Sequence, residues 1–201
     1  MKTLTITLVS LAAMTGLAMA EQKAPVAKVD TKAAPPAAPA KMETPKPPAE
    51  IMATFKQMGP RLRCTGTGLG MDMKTEVKFT GTQVNKVVLD GWFIQMSLNG
   101  TIGQGKEAMK MKMESFMTYD AKSGKWRSVS AMNDGSTGAG TSELKDGKMQ
   151  GTSTMWGMWG ESLFRDHGDY TDMKAGAKMW GEMSMDKGKT WTKVYEMTCK
   201  K

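Results

Sequence analysis

The chain has 201 residues, a formal net charge of +8 and a single histidine. One histidine excludes any metal or catalytic site that needs two or three. No basic motif interleaved with aromatics argues for nucleic acid, and beyond the first twenty residues no stretch is apolar enough to cross a bilayer as a helix.

The chain opens with Met1-Lys2-Thr3, an apolar run from Leu4 to about Leu17, and Ala18-Met19-Ala20. A cation, a short apolar core and a small-x-small ending are the parts of a secretory signal peptide, so residues 1–20 predict export to the periplasm or beyond. An uncleaved anchor is the alternative. Glu21, not Cys, stands directly after Ala20, so a lipoprotein anchor is not indicated. Residues 21–50 hold seven of the eight prolines, with many Ala and Lys. Such a segment buries too little apolar surface to offset its ordering entropy and reads as a disordered tether. Residues 51–201 then form one domain. It carries 22 Lys/Arg against 16 Asp/Glu, a net +6 spread along the chain. That is a solvated surface with at most weak attraction to anionic envelope polymer.

Within the domain, Ile51 to Met58 predicts a short helix ended by Gly59-Pro60, and Arg61 to Leu69 a Gly-rich strand. The glycines lack the Lys and helix start of a phosphate loop and fit strands that bend or cross closely. Met73 to Thr80 alternates, with Met73, Thr75, Val77 and Phe79 on one face. Gly81-Thr82 reads as a turn, Val84 to Asp90 and Trp92 to Asn99 as strands, and Asn99-Gly100 as a hairpin signal. Met109-Lys110-Met111-Lys112-Met113 alternates strictly, the mark of a strand with one face in a core. Strands follow over Trp126–Met132, Thr141–Leu144 and Met149–Met155, with a tight hairpin at Lys145-Asp146-Gly147-Lys148. Met155 to Gly160 is less regular and predicts a loop or barrel mouth; residues 161–174 look polar and irregular. Lys178–Met185 and Thr190–Cys199 make the last hairpin.

Eight to ten short strands with repeated Gly turns predict an all-β, antiparallel barrel or sandwich. In an exported protein the two cysteines, Cys64 and Cys199, predict a disulfide joining the first strand to the last. A pair of soft metal ligands is the sharper alternative.

The segment from Phe116 through Tyr119-Asp120, the turn Ala121-Lys122-Ser123-Gly124, Lys125-Trp126 and the strand ending near Asp134-Gly135 resembles the central motif of a bacterial family of unknown function, the family numbered 1579. Gly147, Gly151 and the Asp186-Lys187-Gly188-Lys189 hairpin fit the same layout. The resemblance spans roughly residues 65–199. It implies a lipocalin/calycin-like β-barrel and brings no activity or catalytic residues. The chain departs from that family in its wealth of Met.

His167, beside Asp166 and Asp169, invites a general-base or metal reading, but nothing in the spacing supplies its partners, and an exposed loop histidine is the plainer account. The domain holds 18 of the 22 Met. Thioethers favour Cu(I); they also fill irregular cores and adapt to apolar ligands. Six tryptophans offer stacking faces or barrel covers. The expectation is an exported, non-enzymatic barrel that binds a small apolar or amphipathic ligand through Met109, Met111, Met113, Trp126, Met155, Trp156 and Trp159, with no cofactor. A Met-based Cu(I) or Ag(I) site and a structural envelope module are the alternatives.

Overall fold

The computed structural model describes residues 44–70, 72–158 and 160–201. The predicted signal peptide lies outside them, with most of the predicted tether. Residues 44–48 have no regular structure, and helix α1 (Ala49–Met58) starts two residues ahead of the predicted Ile51. Ten strands follow. They are β1 (Arg61–Leu69), β2 (Glu76–Val88), β3 (Phe93–Ile102), β4 (Met109–Asp120), β5 (Lys125–Met132), β6 (Thr137–Lys145), β7 (Lys148–Gly157), β8 (Gly160–Asp169), β9 (Ala177–Ser184) and β10 (Thr192–Lys200).

Each strand pairs antiparallel with its chain neighbour, and β1 closes on β10. The result is an up-and-down barrel, which leaves no unpaired strand edge. Sequence alternation sets which face turns inward. On β4 the inward row is Met109, Met111, Met113, Ser115, Met117 and Tyr119, with the lysines outside. On β5 it is Trp126, Ser128, Ser130 and Met132, while Val129 points to solvent. The β6–β7 link is the tight hairpin read from the sequence. Asp146 and Gly147 both have positive φ (51° and 74°), as the right-handed twist of a two-residue hairpin requires.

Three local expectations are corrected. Gly81-Thr82 is not a turn: β2 runs through it. Asn99-Gly100 is not a hairpin: β3 continues to Ile102. Gly81 and Gly100 are register partners, and the ring of Phe79 lies over both. These glycines leave room for an aromatic ring, not for a reversal of the chain. Residues 161–169 are not irregular but form most of β8. Its inward row mixes Ser162, Phe164, Asp166 and Gly168, so the hydrophobic period that betrays a strand is missing.

Helix α1 closes one end of the barrel. Ile51, Thr54 and Met58 are its buried residues. Ile51 packs with Ile94, Met117 and Trp126, and Met58 with Tyr170 and Ala177. Hydrogen bonds from Asn85 Nδ2 to Gly59 O (2.7 Å) and from Gln57 Nε2 to Tyr170 O (3.5 Å) fix the helix to the strands. On the seam between first and last strands, Cys64 and Cys199 are register partners, with Cα atoms 4.0 Å apart, and are joined by a disulfide. Both are buried against Leu62, Phe79 and Leu98. The predicted bond between the first and last strands is present.

Candidate functional site

Between the α1 plug and the opposite mouth the barrel encloses a cavity of about 410 Å³. A second space of about 290 Å³ adjoins it toward the mouth and shares Met111, Met132, Met155 and Phe164 with it. Ten strands leave an interior wider than their side chains fill when one wall carries small residues. That wall is built by alternation: Ser128 and Ser130 on β5, Gly138 and Gly140 on β6, Gly151 and Ser153 on β7. A Cβ on Gly140 would come within 2.5 Å of Ser153, so this wall is also closely packed. The adjoining wall is thioether-rich, with Met96, Met111, Met113 and Met117 from β3 and β4.

One charged side chain enters this lining from within. Asp166 on β8 has glycine partners on both neighbouring strands, Gly151 on β7 and Gly181 on β9. Gly181 is in turn the partner of Tyr195 on β10. A Cβ at Gly181 would collide with the Tyr195 ring, so the ring lies across the position a side chain would occupy. From there Tyr195 Oη donates to Asp166 Oδ1 at 2.8 Å. Tyr170 folds back over Gly168 in the same way, a Cβ there meeting its ring at 2.7 Å, and its hydroxyl lies 3.6 Å from Met179 Sδ.

Burial pushes the Asp166 carboxyl above the ordinary aspartate range, against the Tyr195 hydrogen bond and the nearby His167. Burial, with the Asp166 charge adding to it, pushes the Tyr170 hydroxyl up to about 12. Burial, with the Asp166 charge, the hydrogen bond to Asp166 and the neighbouring Tyr170 adding to it, pushes the Tyr195 hydroxyl well above the ordinary tyrosine value, so both phenols stay protonated hydrogen-bond donors at neutral pH.

The predicted residues separate. Met111, Met113 and Met155 line the cavity, and Met109 lies at the mouth, 41% exposed. Trp126 is 2% exposed, but it belongs to the plugged floor, with Ile51, Ile94 and Met117. Trp156 is 45% exposed and its indole N–H reaches Glu161 at 3.3 Å. The structure therefore does not bring these two tryptophans to the cavity, because Trp126 sits below it and Trp156 sits near the β7–β8 turn. Trp159 lies outside the described residues.

His167 is not a loop residue. It stands on the outer face of β8, its ring stacked on Trp180 at 4.8 Å and 6°. Its Nε2 is 3.9 Å from Glu182 Oε2. Trp191 is likewise engaged, under the guanidinium of Arg165 at 3.8 Å. Among the described residues no group of three or more His, Cys, Asp or Glu is placed to hold a metal ion.

The motif that carries the family resemblance builds the plugged end. Asp120 accepts from the Lys122 amide (3.1 Å) in the β4–β5 turn and from Arg127 Nε and Nη2 (3.1 and 2.7 Å). The Arg127 hydrogen bond is the main cause that holds its carboxyl down at about 2. Tyr119 and Trp126 are register partners, with ring centroids 5.3 Å apart.

Sequence reasoning missed Asp166, Tyr170 and Tyr195 as a group, and the small-residue wall. The available signal was period two itself, in Ser128-x-Ser130, Gly138-x-Gly140 and Ser162-x-Phe164-x-Asp166-x-Gly168-x-Tyr170.

No protein-family model matches the chain, and no curated protein matches it. Among solved structures it is similar to the crystal structure of Rv2717c from M. tuberculosis, with a TM-score of 0.56 and 8% sequence identity. The match covers 76% of this chain and 98% of that one. At this identity the likeness concerns the barrel fold alone.

Proposed function

We propose that this protein is an exported, non-enzymatic barrel that binds one small apolar or amphipathic molecule inside. The observation that carries the reading is the cavity of about 410 Å³, lined by thioethers and by a stretch of Gly and Ser. Pockets of this size with a mainly apolar lining and a few convergent polar groups suit small-molecule binding. Methionine adapts its shape to varied apolar guests. The disulfide supports the exported setting, since such bonds persist in oxidising compartments. The family numbered 1579 is the membership we propose, on the Tyr119-to-Gly135 motif and the barrel.

A neutral fluorescent probe, N-phenyl-1-naphthylamine, tests the reading. Saturable one-to-one binding is expected. Ser128→Phe, which places a ring in the cavity from its small-residue wall, should abolish it while the circular dichroism spectrum stays β-rich. Unchanged probe binding in that variant would refute the cavity as the site.

Cu(I) binding is a second reading, favoured by one observation. Met113 and Met132 are register partners, as are Met179 and Met197, so thioethers face one another across neighbouring strands. Titration with Cu(I) against a competing chelator tests it.

A further inference from the structure

We propose that the head group of the bound molecule is a protonated aliphatic amine, held by Asp166 at the end of an apolar cavity. This rests on the cavity reading above and names its ligand class.

The charge balance of the cavity carries the inference. No Lys or Arg lines the inner chamber. The strands on either side of Asp166 present glycine, Gly151 and Gly181, and so no counter-charge. From β10 it meets Tyr195, and near it on its own stretch of chain lie Tyr170 and His167. His167 points outward, where it is stacked on Trp180. Glu196 alternates away from the interior beside Tyr195. A carboxylate in such surroundings is normally paired with a cation, because water no longer solvates it fully. Here Tyr195 supplies a single neutral hydrogen bond to Oδ1. Oδ2 accepts from no described residue, yet no buried side-chain oxygen among them is left without a partner. Oδ2 therefore opens onto accessible space, and Gly151 and Gly181 bring no side chain of their own against it.

An ammonium head completes this arrangement. It neutralises the carboxylate and donates to Oδ2. It meets further acceptors in the lone pairs of the tyrosine oxygens, and aromatic faces favour cations. Its alkyl chain takes the thioether wall. A hydroxyl head would satisfy the hydrogen bond and leave the charge unpaired. A carboxylate head would face Asp166 with like charge. Burial pushes the Asp166 carboxyl up despite the Tyr195 hydrogen bond and the nearby His167, as for a carboxylate whose charge is incompletely compensated.

The test compares n-octylamine, 1-octanol and octanoate at pH 7, each below its aggregation limit, as competitors of N-phenyl-1-naphthylamine. Octylamine should bind about tenfold or more tighter than octanol, with octanoate weakest. In Asp166→Asn the amine should fall to the affinity of the alcohol, with the alcohol itself unchanged. Tyr195→Phe keeps the charge and should keep the amine preference. Equal binding of amine and alcohol, or tightest binding of octanoate, overturns the head-group assignment and leaves the cavity reading standing. A probe that fails to bind at all overturns both. If Asp166→Asn does not fold, the ranking of the three ligands on the unmodified protein decides alone.

Discussion

Tyr195 reaches Asp166 across an entire strand: its hydroxyl donates to Oδ1 at 2.8 Å from β10 to β8, over a β9 that carries only Gly181 at the crossing. Glycine at 181 and tyrosine at 195 are one device, since any Cβ on Gly181 would displace the ring.

Tyr195→Phe should therefore destabilise the barrel by about 1–3 kcal/mol, the cost of stripping a buried group of its partner. Gly181→Ala should lose the same hydrogen bond and add overpacking, typically about 1–3 kcal/mol. The two losses share an origin, so the double variant should be clearly less destabilised than the sum. Denaturant unfolding of the four proteins measures the cycle; simple additivity would show that the ring does not depend on the glycine.

The raised Asp166 carboxyl gives a signed pH dependence. Between the ordinary aspartate value near 3.8 and the higher folded value, the native state holds more protons than the unfolded chain. Stability from this group is therefore present at low pH and lost as pH rises through that window. Asp72 and Asp186 act oppositely. Hydrogen bonds led by Thr75 and Thr190 hold their carboxyls at about 2, so their contribution is lost as pH falls through the range from 3.8 to 2. Asp166→Asn removes only the first effect. Its melting temperature should exceed that of the unmodified protein at pH 7, and the gap should shrink as pH approaches 3. Thermal scans across pH read the difference directly, and a constant gap would contradict the assignment.

The Cys64–Cys199 bond ties residues 135 apart in sequence, across the seam where the barrel closes. Closing so long a loop should stabilise by about 2–5 kcal/mol, mostly by constraining the unfolded chain. Reduction, or Cys64→Ala with Cys199→Ala, should lower the denaturant midpoint accordingly. An unchanged midpoint under reducing conditions would mean that the seam holds without it.

Met111→Leu with Met113→Leu separates the two readings of the thioether wall. Volume-conserving swaps of this kind cost under about 1.5 kcal/mol each. Probe binding should persist, since the wall stays apolar. If Cu(I) uses Met113 with Met132, the same variant should lose copper affinity. Loss of the naphthylamine probe instead, with the fold intact, would show that the sulfur atoms themselves matter to the apolar ligand.

Much of this barrel was legible without coordinates. Period-two alternation marked β4 and β5, Asp146-Gly147 marked a tight hairpin, and two cysteines downstream of a predicted signal peptide pointed to a bond between first and last strands. Period two, however, is common to barrels and sandwiches, so closure of β1 on β10 was decided by pairing alone. Glycine is ambiguous for a physical reason. It permits a turn, and it also permits close approach, and only the Phe79 ring over Gly81 and Gly100 distinguishes the two. The same ambiguity hid β8, whose inward row is polar and small. Trp126 and Trp156 looked alike in sequence as large aromatics; depth along the barrel put one in the floor and the other near a turn. The sequence by itself determined the all-β class and the alternation of strands such as β4 and β5, because these follow from local chemistry. Only the tertiary structure decided that Tyr195, Gly181 and Asp166 meet, since that depends on three strands brought into register.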